Sequence, residues 1–400
     1  SLLEVAMKSK RGLIIGLGGG GDVIQGIPIA RLFKQLDFEE VYIGGVNCQW
    51  WMQDGKPQSD VFGVSILGPT LYDINKLSDT EVLSQNILKV CKKSQLEGCQ
   101  PAEAVLADIL PGTPFVASLL NGPVGLAAGF DKNADYLNFI SNVGFGFVEV
   151  GTLTPKAQSG NPKPRVFRLV NDEAIINHLG FNNKGIDYGI ERIKKFNRNI
   201  PIGVNIGKNA STDVKDAFHD YEYCLRKAYA VADYITLNIS SPNTKDLREL
   251  QKGEKVSSFL HSIKKLHDNL KKVYKKHTPL VIKIAPDITI DMINDLVTLI
   301  EEYDIDGIIC TNTTIDKSEL SSKYRDIQGG LSGKPLLKKS NDVLYNVSKS
   351  LDKNKTVFGV GGIDSQESAN QKFSLGADLL QLYTGMVYKG PNLLKEILKD

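Results

Sequence analysis

Amides, hydroxyls and two lysines recur in this chain where apolar runs end. The stretch "NISSPNT", Asn238 to Thr244, sets two serines and two asparagines around a proline just after the run "YITLN". Asn and Thr return in "GTLTP" (Gly151), "GKN" (Gly207) and "TNTT" (Thr311), while Lys132 in "GFDKN" and Lys283 in "LVIKI" are the notable cations. Such a set suits a neutral or anionic planar ligand held by many hydrogen bonds. The glycine-rich "GGIDS" (Gly361) and "TG" (Thr384) allow backbone N–H groups to approach phosphate oxygens, so a phosphorylated cofactor is the economical reading. His219, His261, His267 and His277, four of the five histidines, fall in helical or charged segments. No Asp/Glu/His set has metal-ligand spacing and no Ser-His-Asp arrangement suggests itself, so no metal is expected.

The elements that must position these residues are short apolar runs with helical segments between them. They read "VGLAA" (Val124), "FVEV" (Phe147), "IGVNI" (Ile202), "YITLNI" (Tyr234), "LVIKI" (Leu280), "GIIC" (Gly307), "VFGV" (Val357) and "LLQLY" (Leu379). Near-continuous apolar runs are expected of strands buried on both faces. Amphipathic segments such as Ile290 to Tyr303 separate them. About eight strand–helix units predict a (β/α)8 TIM barrel, an α/β fold whose active site lies at the C-terminal strand ends. The polar clusters follow the runs, which puts them there. The Gly-rich clusters after the seventh and eighth strands fall where such barrels usually hold a phosphate.

Composition excludes several classes. The net charge is +2 and there is no basic tail, so nothing points to nucleic acid. The Lys-rich run Lys264 to His277 keeps Ile263, Leu266, Leu270 and Val273 at helical spacing and reads as the solvated side of an amphipathic helix. Five scattered cysteines, Cys48, Cys91, Cys99, Cys224 and Cys310, form no CxxC pair, which fits a reducing compartment. No apolar run approaches the ~18 residues of a transmembrane helix.

From about Asn121 to Asp400, ten motifs stand in order: "GLAAGFDKN", "VEVGTLTPKAQSGNPKPRVFRL", "INHLGFNNKG", "VNIGKN", "LNISSPNT", "VIKIAPD", "CTNTT", "GGLSGKPL", "GVGGIDS" and "LLQLYTGMVYKGP". This part resembles the class 2, quinone-linked dihydroorotate dehydrogenases. The resemblance implies oxidation of dihydroorotate to orotate with FMN in pyrimidine biosynthesis, and a quinone as acceptor. It implies that Ser241 is the catalytic base, taking a proton from C5 while hydride leaves C6. Serine here, where class 1 enzymes use cysteine, is what points to class 2. Lys132, Asn177, Asn238, Asn243 and Asn312 are implied around orotate, with Thr313 and the stretch His178, Leu179, Gly180 and Phe181 completing the pocket. His178 stands where the family often has Arg. Lys283 is implied beside the flavin's pyrimidine edge, where a cation stabilises negative charge. Ala128, Gly129, Phe130, Asp131, Lys132, Thr152, Asn205, Asn238, Thr311, Gly333, Gly362, Tyr383 and Thr384 are implied along the FMN site. Asp131 and Asp287 read as loop-orienting side chains rather than a paired acid and base.

Residues 1–118 depart from that pattern, which normally begins with two membrane-contacting helices forming the quinone tunnel. The stretch "RGLIIGLGGGGDVIQGIPIARLFKQLDFEEVYIGGVN" reads as strand, Gly-rich turn, helix and strand, a Rossmann-like segment. Gly16, Gly18 and Gly21 match G-x-G-x-x-G, a weak signal, and "VYIGGV" lacks the acidic residue that would bind a ribose. The segment resembles an uncharacterised archaeal Gly-rich nucleotide-binding-like family, which makes the chain a fusion or a chimera. The expected division is 1–118, of unknown role, and 119–400, the FMN-binding barrel. A monomer with peripheral contact at the cytoplasmic face of a membrane is expected, the alternative being a cytoplasmic protein. Two other functions stay open: a class 1-type or dihydropyrimidine-type dehydrogenase with a soluble acceptor, and a non-catalytic nucleotide-binding fusion.

Overall fold

The computed structural model describes residues 11–15, 40–45, 65–67 and 121–398, apart from 252 and 321. The chain divides into two compact units, Ser1–Thr113 and Pro114–Asp400. In the first, β1 (Arg11–Ile15) pairs in parallel with β2 (Glu40–Gly45), and β3 (Ser65–Leu67) adds antiparallel to β2. The two strands expected from the sequence are there, and β3 was not foreseen. The glycines Gly16, Gly18 and Gly21, and the helix expected after them, lie outside the described residues.

The second unit is a closed barrel of eight parallel strands. They are β4 (Val124–Leu126), β5 (Phe147–Leu153), β8 (Ile202–Ile206), β9 (Tyr234–Asn238), β10 (Leu280–Ile284), β11 (Gly307–Cys310), β13 (Thr356–Val360) and β14 (Leu379–Leu382). Each falls on one of the eight runs read from the sequence, with β5 running three residues past "FVEV" and β13 starting one residue before "VFGV". Side chains alternate along each strand. One set, including Val148, Val150, Ile235, Leu237, Ile282 and Ile284, packs into the main core with the surrounding helices. The other set points into the barrel, where Phe147, Tyr234, Val281, Ile309, Phe358 and Leu379 fill the lower part. Phe147 meets Phe358 edge to face at 5.9 Å and Tyr234 at 6.2 Å. Higher on the same inward rows stand Glu149, Asn205, Thr236, Asn238, Lys283 and Gln381, all buried. The barrel is therefore apolar below and polar above, and the polarity begins inside the strands, before the loops.

The helices form where apolar residues recur at helical spacing. Helix Ile186–Lys195 buries Ile186, Gly189, Ile190 and Ile193, with Asp187 in its first turn and Arg192, Lys194 and Lys195 in its last. The Lys-rich run belongs, up to Tyr274, to a longer helix, Gly253–Tyr274, that buries Ile263, Leu266 and Leu270. Val273 departs from the expectation: it is 66% exposed, because the last turn runs out into solvent. Helix Ile290–Glu302 is capped by Thr289, whose hydroxyl accepts from the Met292 amide.

Three further strands, which the sequence reading did not separate from loops, make an antiparallel sheet in the order β12 (Gly330–Gly333), β7 (Ala174–Asn177), β6 (Val166–Leu169). Leu169, Ala174, Ile176, Leu320 and Leu331 give it a small core of its own. No described helix is long and apolar enough to cross a membrane.

The narrow lower barrel depends on a small residue at one close approach. A Cβ added at Gly203 would collide with the ring of the buried Tyr234 on the next strand. Gly203→Ala is expected to lower stability by about 1–3 kcal/mol, the usual cost of overpacking, read from urea denaturation. An unchanged midpoint would show that the Tyr234 ring is free to move.

Candidate active site

A cavity of about 960 Å³, counting its open mouth, lies at the C-terminal ends of the barrel strands. That is room for a cofactor-sized ligand. Of the residues expected at the substrate, Lys132, Asn177, Leu179, Gly180, Phe181, Asn238, Ser241, Asn243, Asn312 and Thr313 all line it. So do Ala128, Gly129, Thr152, Lys283, Thr311, Gly333, Gly362, Tyr383 and Thr384 from the expected cofactor set.

Four expected residues stand back from the wall. Asn205 sits behind Thr152, accepting its hydroxyl hydrogen at 2.6 Å and donating to Glu149 Oε1 at 2.8 Å. The His178 ring meets Asn243 Oδ1 at 3.3 Å and so touches the pocket through Asn243. Phe130 is 42% exposed and leans edge-on against Tyr383. Asp131 turns into its own loop, accepting from the amides of Asn133, Asp135 and Tyr136. Burial pushes its carboxyl above the usual range, although those amides oppose the shift. The loop-orienting reading of Asp131 describes these contacts.

The polar wall is made of two hydrogen-bonded groups. Asn238 Nδ2 donates to Thr152 Oγ1 at 2.9 Å and to Asn205 Oδ1 at 3.2 Å. Its Oδ1 accepts from Ser240 Oγ and from Asn312 Nδ2. Asn312 Nδ2 also reaches Ser240 Oγ at 2.9 Å, and its Oδ1 accepts from the Thr313 amide at 2.7 Å. On the other side Asn243 Nδ2 donates to Asn177 Oδ1 at 2.8 Å. The Asn243 amide donates to Ser241 Oγ at 3.2 Å. Ser241 is 6% exposed and none of its hydrogen-bond partners is a histidine.

Two cations face the cavity. Burial, with the Arg165 charge adding to it, pulls the Lys132 ammonium down to about 8. Lys283 is buried, and burial lowers its pKa against the pull of Glu149. Neither ammonium makes a hydrogen bond or a close ion pair among the described residues. A buried, unpaired cation aimed into a cavity is costly, and an anionic or electron-rich ligand relieves that cost.

A flavin phosphate fits the glycine-rich part of the lining. Gly361 and Gly362 have φ of +110° and +78°, and they line the cavity beside Gly333 and Thr384. A Cβ at Gly362 would strike the backbone of Leu337, so only glycine places this loop against the wall. Glycine-rich backbone with the Thr384 hydroxyl suits phosphate oxygens, and the unpaired Lys283 suits the polar edge of a flavin ring.

Several lining or supporting residues escaped the sequence reading. Ser332, Leu336, Ile363 and Gln381 line the cavity. Glu149 lies beneath it and accepts from Asn205, Tyr234, Thr236 and Gln381. Glu149 in "FVEV" and Gln381 in "LLQLY" carried a signal, since each is a polar residue inside an apolar strand run. Leu336 and Ile363 carried none.

The comparisons with known proteins agree with this geometry. The dihydroorotate dehydrogenase family matches residues 112–400. A "Dihydroorotate dehydrogenase (quinone)" of Neisseria meningitidis is 50% identical over 281 residues, 70% of this chain and 84% of that protein. One of Psychrobacter arcticus is 43% identical over 337 residues, 84% of this chain and 96% of that protein. The crystal structure of DHODH from Eimeria tenella in complex with ferulenol superimposes with a TM-score of 0.66 at 36% identity, over 80% of this chain and 90% of that one. A match over 84% of the chain runs well into the segment before residue 119. These matches lend no support to a separate archaeal Gly-rich family there. A barrel with a serine, two lysines and an asparagine-rich wall at its C-terminal mouth, together with these relatives, means that the chain belongs to the dihydroorotate dehydrogenase family, alongside members named for a quinone.

Proposed function

We propose that the chain oxidises dihydroorotate to orotate with FMN as its flavin and passes the electrons to a quinone, a step of pyrimidine biosynthesis. The observation that carries this reading is one cavity lined both by Ser241, which has no histidine partner, and by the buried cation Lys283. In this reading residues 119–400 are the FMN-binding catalytic domain. Peripheral contact with the cytoplasmic face of a membrane belongs to the same proposal, since a quinone is a bilayer-soluble acceptor.

The residues divide the work. Lys132 pairs with the substrate carboxylate, and Asn177, Asn238, Asn243 and Asn312 hold the ring amides and carbonyls. Thr313 and the stretch from His178 to Phe181 close the pocket around them. Gly333, Gly362 and Thr384 hold the FMN phosphate. Ala128, Gly129, Thr152, Thr311, Tyr383 and Lys283 face the rest of the cofactor, with Phe130, Asp131 and Asn205 supporting from behind. When bound, the flavin supplies the acceptor for the hydride that leaves C6. Ser241 Oγ takes the C5 proton, and the loss of both hydrogens leaves the C5–C6 double bond of orotate.

Serine is a weak base, and two features of its setting compensate. The Asn243 amide donates to Ser241 Oγ and so stabilises negative charge developing there. The hydroxyl is nearly buried and lines the cavity, so its own proton must be handed on inside the cavity rather than straight into bulk solvent.

Dihydroorotate should bleach the yellow protein under anaerobic conditions, and a soluble quinone should restore the colour. Ser241→Ala should bind FMN and orotate normally yet slow the bleaching by at least about 100-fold, the range of a lost general base. Reoxidation by fumarate or NAD but not by quinone would move the chain to a soluble acceptor. A colourless, inactive protein would sink the reading.

Lys132 predicts a pH dependence. Its ammonium is charged below about 8 and is lost as pH rises through that value. Orotate affinity, read from the flavin spectrum, should be flat at lower pH and fall about tenfold per unit above the break. Lys132→Met should bind orotate weakly with no such break. A wild-type profile that stays flat through the mildly alkaline range would show that another group holds the carboxylate.

A further inference from the structure

Ser241 lies in a long connection between β9 and the helix Gly253–Tyr274, and a loop of that length must be fixed if the hydroxyl is to meet one carbon of a substrate. Arg248, in the 3-10 turn Leu247–Gln251 of this connection, makes three charge-assisted hydrogen bonds. Its Nε donates to the Ser240 carbonyl at 2.9 Å. Its Nη1 donates to Asp287 Oδ2 at 2.8 Å, and its Nη2 to the Thr313 carbonyl at 2.8 Å. The three acceptors belong to the segments that follow β9, β10 and β11, which are adjacent strands of the barrel.

Two details make this more than a surface ion pair. The Ser240 carbonyl and the Ser241 amide are the two ends of one peptide plane, so fixing that oxygen orients the plane that carries Ser241. Asp287 is itself anchored. It accepts from the Thr314 hydroxyl, from the Ile315 amide at 3.0 Å and from Lys339 Nζ at 2.9 Å. The side chains of Arg248 and Asp287 are only 20% and 11% exposed. A planar guanidinium can point three N–H groups at three fixed acceptors, whereas an ammonium is a flexible point charge.

We propose that Arg248, anchored by Asp287, is a positioning residue that holds the Ser241 peptide in register with the substrate-facing segment at Thr313. The inference rests on the role proposed for Ser241. A misplacement of about 1 Å at a reacting group costs on the order of 100-fold in rate, so loss of the brace appears in the chemical step first.

The test compares the wild-type holoprotein with Arg248→Lys and Asp287→Asn. Flavin content, orotate affinity, the anaerobic rate of bleaching by dihydroorotate with and without deuterium at C5, and amide exchange over residues 240–251 are measured. Arg248→Lys should keep its flavin and hold orotate affinity within about threefold, while bleaching slows on the order of 10–100-fold with a larger C5 isotope effect. Exchange over 240–251 should quicken, and Asp287→Asn should shift every readout in the same direction. Wild-type bleaching and exchange in Arg248→Lys would overturn the proposal. A parallel loss of flavin, orotate affinity and rate would also overturn it, because that is a general structural defect. If Arg248→Lys fails to fold, Asp287→Asn carries the same comparison. If the wild type itself is not bleached by dihydroorotate, the proposed function fails and this inference with it, an outcome distinct from a variant that behaves as wild type.

Discussion

A carboxylate buried at the centre of a barrel must be met by donors, and Glu149 is met from three other strands. Asn205 on β8, Tyr234 and Thr236 on β9 and Gln381 on β14 all donate to it. An unmet carboxylate there would cost several kcal/mol, so the donors have little freedom to turn away. The consequence travels upward. Because Asn205 gives its NH2 group to Glu149, its oxygen must face the other way, toward Thr152 and Asn238. Asn238 then gives its NH2 group to that side and turns its oxygen toward Ser240 and Asn312. One buried charge thus sets the amide orientations of a wall that reaches the cavity.

That wall is neutral, and the charge in the cavity comes from Lys132 and Lys283. Both ammoniums have lowered pKa values because burial disfavours the charged form. Glu149 offsets this in part for Lys283, which stands on an inward row of the same barrel. Lys132 has no such carboxylate and is pushed further by Arg165. The two ends of the cavity therefore differ. At one end the cation is supported from below by a carboxylate. At the other it depends on what it binds, which suits a group that must hold an anion and release it.

The barrel was legible in the sequence because both faces of each strand are buried, leaving apolar runs that no loop would carry. The antiparallel sheet was not legible. β12 reads "GLSG", a turn by composition, and β7 has only three apolar residues before Asn177, too short a run to stand out, so their pairing in space is what makes them strands. The site divides in the same way. Residues just past strand ends could be assigned to the mouth by counting. Asn205 could not be placed on the wall or behind it, because that depends on which face of β8 turns inward and on Thr152 standing before it. His178 and Asp131 belong to loops whose course no periodicity describes. Arg248 was invisible because its partners Asp287 and Thr313 lie 39 and 65 residues away, joined to it only by barrel closure. In the segment before residue 119, local pattern suggested the strands β1 and β2 and a kinship that the matches do not support, and a Gly-rich run satisfies a dinucleotide fingerprint without its chemistry.

The serine explains why so much of the structure above the barrel is bracing. A histidine base titrates near neutrality and tolerates some looseness, because its basicity is intrinsic. A serine hydroxyl has almost none, so its competence must come from where it is and what surrounds it. Here the hydroxyl receives an amide from Asn243, which is itself tied to Asn177 across the cavity. The peptide before it is held by Arg248, and Ser240 is gripped by Asn238 and Asn312. The Asn312 bond to Ser240 and the Arg248 bonds to Asp287 and Thr313 cross from one strand end to another. The closed barrel is what makes such crossings short, and a residue of ordinary reactivity is brought to its task by a frame that leaves it little room to be elsewhere.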